Sequence, residues 1–280
     1  MMVQPAPEGQ PRFVTYMREH NAMCQQLVEA FGNEQFERFE PFELVAYAIS
    51  HHDYGWDEVD ANPEVNPENG FPVGLGNGSV PGIIDTGTGS ASYNEAYHLY
   101  SGLISSMHIT GLYSSRYDLS DFSVRIGGSK SIPVKDEDKP ALDRMMTREL
   151  ARQETIKAEL RKDPAYAPWL DDRRIWSNYK VMQFIDTLSL YFHTRHRDDR
   201  KPEVFVHVPL NENEDASVTL TPLGGDVYSL DPFPFAGDEF VATCQGRYVS
   251  PISPNSTREE MKRVLAETPI STQTHTFVRA

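Results

Sequence analysis

Apolar residues recur at helical spacing through most of the first 200 positions. From Phe13 to Phe31 they fall at Phe13, Met17, Cys24, Leu27, Val28 and Phe31, and His20 lies on the same stripe. A histidine there points inward. Pro41 opens a second helix at the position proline tolerates best, Glu43 lies in its first turn, and Val45, Ile49 and His52 share a face. A third helix is predicted from Ser92 to Tyr113, with Leu99, Tyr100, Leu103, Ile104, Met107 and Gly111 as its stripe. His108 sits at the edge of that stripe and His98 nearly opposite its centre. A straight helix would hold the two about 15 Å apart, so they join one site only if the helix breaks near Gly102. Two more helices are expected, one over 141–161 and one from Asp172 to the region of His193, where Asp186 lies on an apolar face.

The segments between and after these helices read differently. Residues 61–90, with NPEVNPENG and GLGNGSVPG, predict a long loop without regular structure. Because it departs directly after the His52-Asp53 doublet, its position suits a lid over a site. A polar stretch covers 117–140. Beyond Lys201, short runs such as VFVHVPL, ASVTLTPL, DVYSL and EFVATCQGRYV predict strands separated by turn residues, with a last helix over 257–267. The expected organisation is a helical body over 1–200 and a small antiparallel β appendage over 201–280 that shares its core.

Charge and composition then narrow the partners. With 41 acidic against 26 basic side chains the net charge is -15, which argues against a phosphate-backbone binder. The basic cluster from Arg195 to Lys201 is interleaved with Asp198 and Asp199 and reads as a charged helix end. Cys24 and Cys244 lie in no CxxC pair, so neither a disulfide scaffold nor a thiolate zinc site is expected. No run approaches the roughly 18 apolar residues of a membrane span, and the start lacks a secretory pattern. The expectation is a cytoplasmic protein with a small-molecule substrate, no nucleic-acid or membrane partner, and a surface compatible with a homo-oligomer.

His20, the doublet His52-Asp53, and Asp186 carry the clearest chemistry. Ligands this far apart on separate helices can converge on a metal ion inside a bundle. A carboxylate on the apolar face at Asp186 is costly unless it is paired, hydrogen-bonded or bound to an ion. His98 and His108 are candidates for further ligands or for proton transfer. Trp56 and Tyr179 are candidate pocket walls, and Arg116 and Lys180 the basic groups placed to meet a phosphate or carboxylate on a substrate. Structural readings stand beside each: a core histidine on a carbonyl for His20, a turn cap for Asp53, the partner of a buried arginine or histidine for Asp186, and core packing for the aromatics. Mixed imidazole and carboxylate ligands suit iron, manganese or zinc, as one or two divalent ions.

The order His20, His52-Asp53, Asp186 resembles that of the HD superfamily of helical metal-dependent proteins. The segments HHDYGW, YHLYSG, MHITGLY, NYKVMQFIDTLSLY and DPFPF resemble the DUF3891 family over most of the chain. The resemblance to the superfamily implies a mainly α, HD-domain-like bundle in which His20, His52, Asp53 and Asp186 bind the metal. In its two-metal members an intervening pair of histidines also serves, and here that pair would be His98 and His108. Three readings follow. One is a metal-dependent hydrolase that attacks a small phosphorylated or otherwise polar metabolite with an activated water; another is an HD-type diiron oxygenase of a small polar substrate; the third is a non-catalytic metal- or ligand-binding protein.

Overall fold

The computed structural model describes residues 1–114, 116, 123–125, 131–133 and 135–280; of 123–125 and 131–133 only the backbone is considered. Two short strands, β1 (Met2–Val3) and β2 (Arg12–Thr15), lead into helix α1 (Met17–Ala30) and then α2 (Phe42–Ser50) and α3 (Asp57–Ala61). Helices α4 (Val80–Tyr97) and α5 (Leu99–Leu112) follow. A two-stranded hairpin of β3 (Ser123–Arg125) and β4 (Ser131–Pro133) comes next, and then the long helices α6 (Lys139–Leu160) and α7 (Asp172–His193). The chain ends with β5 (Glu203–Pro209), β6 (Asp215–Gly224), β7 (Val227–Asp231), β8 (Glu239–Val249), α8 (Arg258–Glu267) and β9 (Ser271–Arg279).

The molecule is mainly helical, but its sheet corrects the expectation of a small C-terminal antiparallel appendage. Seven strands form one curled sheet in the order β1-β2-β8-β9-β7-β6-β5. Two of them come from the first fifteen residues, because Phe13 and Val14 pair with Tyr248 and Arg247 of β8. Residues 13–15 therefore form a strand, and the helix begins only at Met17. The β7–β9 pair is parallel, so the sheet is mixed. A crossover through β8 and α8 makes that parallel pair reachable.

Helix α7 is the axis of the fold. Every residue from Ser177 to His193 is buried, because α1, α2 and α5 pack on it and β5 covers another side. A helix enclosed all round carries apolar residues on nearly all faces, as VMQFIDTLSLYF does here. The polar residues embedded in that run, Gln183, Asp186 and Ser189, are thereby carried to the centre of the molecule.

The loop expected over 61–90 is shorter than its composition suggests, since residues 80–97 are helical. Ser79 caps α4 by accepting from the Gly82 amide, and a proline stands in the first turn where its missing N–H costs nothing. The glycines that made this stretch read as loop serve packing. A Cβ at Gly87 would lie 2.3 Å from Ile109 Cδ1, so only glycine lets α4 approach α5 this closely. The single helix expected over 92–113 is two helices divided at His98, which ends α4 and caps α5.

Candidate metal centre

His20 projects from the buried face of α1, and Asp186 faces it from the middle of α7. His52 and Asp53 follow the end of α2, where the chain leaves the helix and enters a single tight turn over 54–56. That exit turns both members of the doublet toward α1 and α7. His52 is 2 % exposed and His20 fully buried, whereas the Asp53 side chain keeps 14 % of its surface open.

Hydrogen bonds decide which ring nitrogen of each histidine is available. His52 Nδ1 lies 2.7 Å from the Ile49 carbonyl oxygen, which only accepts, so Nδ1 carries a proton and Nε2 is the nitrogen that can offer a lone pair to an ion. The Ser189 hydroxyl donates to the Asp186 carbonyl and therefore accepts, at 2.9 Å, from His20 Nδ1–H. His20 Nε2 can likewise offer a lone pair. The two Nε2 atoms face each other at 3.2 Å, close enough to share the proton that His52 holds when no ion is bound.

Two carboxylate oxygens complete the set. His20 Nε2 lies 3.7 Å from Asp53 Oδ2 and 3.4 Å from Asp186 Oδ1, and His52 Nε2 lies 3.5 and 3.6 Å from the same two oxygens. A tetrahedron of donors with edges of about 3.4 Å holds an ion about 2.1 Å from each corner, the bond length that zinc takes to imidazole and carboxylate. The sets His20, Cys24, His52 and His52, Asp53, His108 each also bring one ligand atom per residue within 4.8 Å of one another. The cluster is thus able to coordinate a metal ion.

The electrostatics call for a cation at the same point. Burial pushes the His52 imidazole down, yet Asp53 and then Asp186 outweigh it and raise the group to about 9. Burial opposes ionisation of Asp186 too, but the Arg116 guanidinium, 2.8 Å from Oδ2, and the two histidines hold its carboxyl well below the usual range. Burial, together with the neighbouring His52, keeps His108 neutral by driving it well below its ordinary value. Cys24 is raised by burial and by Asp186, so it stays a thiol and donates to Ser189.

These residues lie within a chain whose residues 1–251 match the family described as Protein of unknown function (DUF3891). The chain belongs to the DUF3891 family. No curated protein and no solved structure shows a match. For this DUF3891 member the centre described above is therefore read from its own geometry.

The structure brings His20, His52, Asp53, Asp186, His108 and Arg116 together and leaves other candidates elsewhere. His98 packs against Tyr166 and Trp169 with ring centroids 5.5 and 6.4 Å away, and its Nδ1 accepts from the Tyr100 amide as a helix cap. The break in the helix falls at His98 itself and turns it toward the segment before α7. Lys180 is ion-paired with Asp215 of β6, on the sheet side of α7. Tyr179 acts indirectly, its hydroxyl donating to the Arg116 carbonyl. His193 packs edge-on against His20, with ring centroids 5.3 Å apart. His51 stacks on Tyr47, with ring centroids 4.0 Å apart. Gln183 and Ser189 were not singled out from sequence, although both lie three residues from Asp186 along the same helix.

A cavity of about 50 Å³ opens beside the donor set, room for a few water molecules. Its lining combines the polar His52, Asp53, His108, Arg116 and Asp186 with the apolar Leu75, Ile83, Ile109, Leu112 and Leu190. Trp56 and Ile83 separate it from an open groove of about 1110 Å³, which they also line. Acidic residues Asp57, Glu58, Glu64 and Asp85 stand along that groove, and Arg258 in it is paired with Glu64. No helix among the described residues is long and apolar enough to cross a membrane.

Proposed function

We propose that this protein is a metal-dependent hydrolase of a small polar metabolite, with an HD-like centre in which His20, His52, Asp53 and Asp186 hold one divalent ion. The observation that carries this reading is a pair of imidazole nitrogens facing each other at 3.2 Å, each 3.4 to 3.7 Å from one oxygen of Asp53 and one of Asp186. A divalent ion held there supplies Lewis acidity, lowering the pKa of a water and balancing negative charge that develops on the substrate. Asp53, the most exposed of the four ligands, marks the side of the centre open to solvent. His108 borders the cavity and orients the polar end of the substrate. Leu75, Ile83, Ile109 and Leu190 exclude bulk water around the reacting bond. Trp56 and Ile83 form the partition through which a substrate passes from the groove. The smallness of the cavity favours a small substrate, and the acidic groove favours a neutral or weakly charged one over a multiply phosphorylated one.

The test is elemental mass spectrometry on protein purified without added metal and then reloaded, in wild type and Asp53→Ala, followed by a panel of small esters, amides and phosphoesters. About one zinc or manganese per chain, lost in the variant, with hydrolysis of a panel member, is the expected result. Two irons per chain with oxygen uptake would replace hydrolysis by oxidation, and no specifically bound metal would end the proposal.

A further inference from the structure

We infer that Gln183 is a positioning residue that holds His108 in the Nε2–H tautomer, so that this imidazole offers the cavity a hydrogen-bond donor instead of a ligand lone pair. The inference rests on the reading that the other four residues hold the ion, and it assigns the fifth, adjacent imidazole a different task.

The chain of logic begins at Arg116. A guanidinium can only donate, and its Nη1 donates both to Asp186 Oδ2 and to Gln183 Oε1. The Gln183 amide is thereby oriented: its oxygen faces Arg116 and its NH₂ faces His108 Nδ1 at 3.1 Å. An NH₂ group only donates, so Nδ1 must accept, and the ring proton resides on Nε2. A doubly protonated ring would set N–H against N–H inside a site where Gln183 is fully buried and His108 4 % exposed. The arrangement is the reverse of that at His20 and His52, where oxygen acceptors take Nδ1–H and leave Nε2 as the nitrogen facing the donor set.

One helix thus sets two imidazoles in opposite states. Gln183, Asp186 and Ser189 are spaced by three along α7, so they share a broad face. Ser189 accepts from His20 and makes it a ligand, Asp186 supplies a ligand oxygen, and Gln183 donates to His108 and makes it a donor. Arg116 is itself held in place, with its amide donating to the Gly111 carbonyl at 2.8 Å and its carbonyl accepting from Tyr179. A substrate read by this site presents an oxygen acceptor to His108.

The experiment is long-range proton–nitrogen NMR on histidine-labelled protein, metal-free and with one equivalent of zinc, in wild type, Gln183→Glu and Gln183→Met, with His108→Gln to assign the signal. The wild type is expected to show His108 protonated at Nε2 in both states, with only His20 and His52 shifted by zinc. Gln183→Glu supplies an acceptor and is expected to move the proton to Nδ1, while Gln183→Met leaves a mixture of tautomers; the His20 signals, set by Ser189, report that both variants remain folded. Protonation at Nδ1 in the wild type, or a zinc-shifted nitrogen on His108, would overturn the inference. If zinc shifts neither His20 nor His52, the metal centre fails, whereas the tautomer in the metal-free protein still stands or falls by itself.

Discussion

Asp186→Asn and Asp53→Asn separate the two tasks that the carboxylates perform. Both remove an ion's ligand, but only Asp186 also neutralises Arg116, which is 4 % exposed and 2.8 Å away. Removing one partner of a buried ion pair leaves an uncompensated charge and costs about 3–5 kcal/mol. Asp53 is partly open, and its cationic neighbour His52, unlike an arginine, can shed its proton when Asp53 is replaced, so the replacement costs about 1 kcal/mol, an ordinary value for a point change. Metal at a hundred times its dissociation constant stabilises the wild type by about 2.7 kcal/mol, and a variant that binds a hundredfold more weakly gains only about 0.4 kcal/mol. Urea denaturation with chelator and with manganese or zinc measures all these terms on one chain. Asp186→Asn should be several kcal/mol weaker than Asp53→Asn without metal, and neither should respond to metal as the wild type does. Adding Arg116→Met to Asp186→Asn removes the cation that Asp186 faced and should return part of the lost stability without restoring metal binding. The reasoning is refuted if the two single variants are equally stable without metal, or if either keeps the full metal response.

Three other outcomes follow from the same geometry. Metal uptake must expel the proton that His52 holds up to about 9, so apparent affinity should weaken roughly tenfold per pH unit below that value, and calorimetry in buffers of different ionisation enthalpy should record about one proton released per ion at neutral pH; the stabilising proton is lost as pH rises, so the metal-free protein should also be weaker at pH 9.5 than at pH 6.5. Burial and the nearby Arg200 hold His275 down at about 3, stacked on Phe192, so it must stay neutral when folded and its contribution is lost as pH falls from 6.5 toward 3; His275→Phe should remove up to about 4 kcal/mol of that acid-side loss, and an unchanged slope of stability against pH would contradict it. His98→Ala should cost about 1 kcal/mol as a lost helix cap and leave metal content unchanged, and loss of the ion would restore His98 to the centre.

Local periodicity in the sequence is enough to place most helices and to turn His20, His52 and Asp186 inward, because a stripe of apolar side chains has one face and that face must be buried. It also marked Asp186 as a carboxylate in need of a partner. The partner itself lay beyond local reading: Arg116 stands 70 residues earlier in the chain and meets Asp186 only because α5 and α7 pack side by side. The same holds for the tautomers, which depend on where Gln183 and Ser189 point once α7 is enclosed. Residues 80–90 were misread because glycine and proline signal a loop when judged alone, whereas here one starts the helix and the other lets α4 lie against α5. The sheet was misread as a C-terminal appendage because strand pairing is non-local: nothing near Phe13 in the chain announces Tyr248 as its neighbour. Burial periodicity is a property of a segment and survives in the sequence. Convergence of donor atoms, the direction of each hydrogen bond and the order of strands are properties of packed segments, and only the tertiary structure decides them.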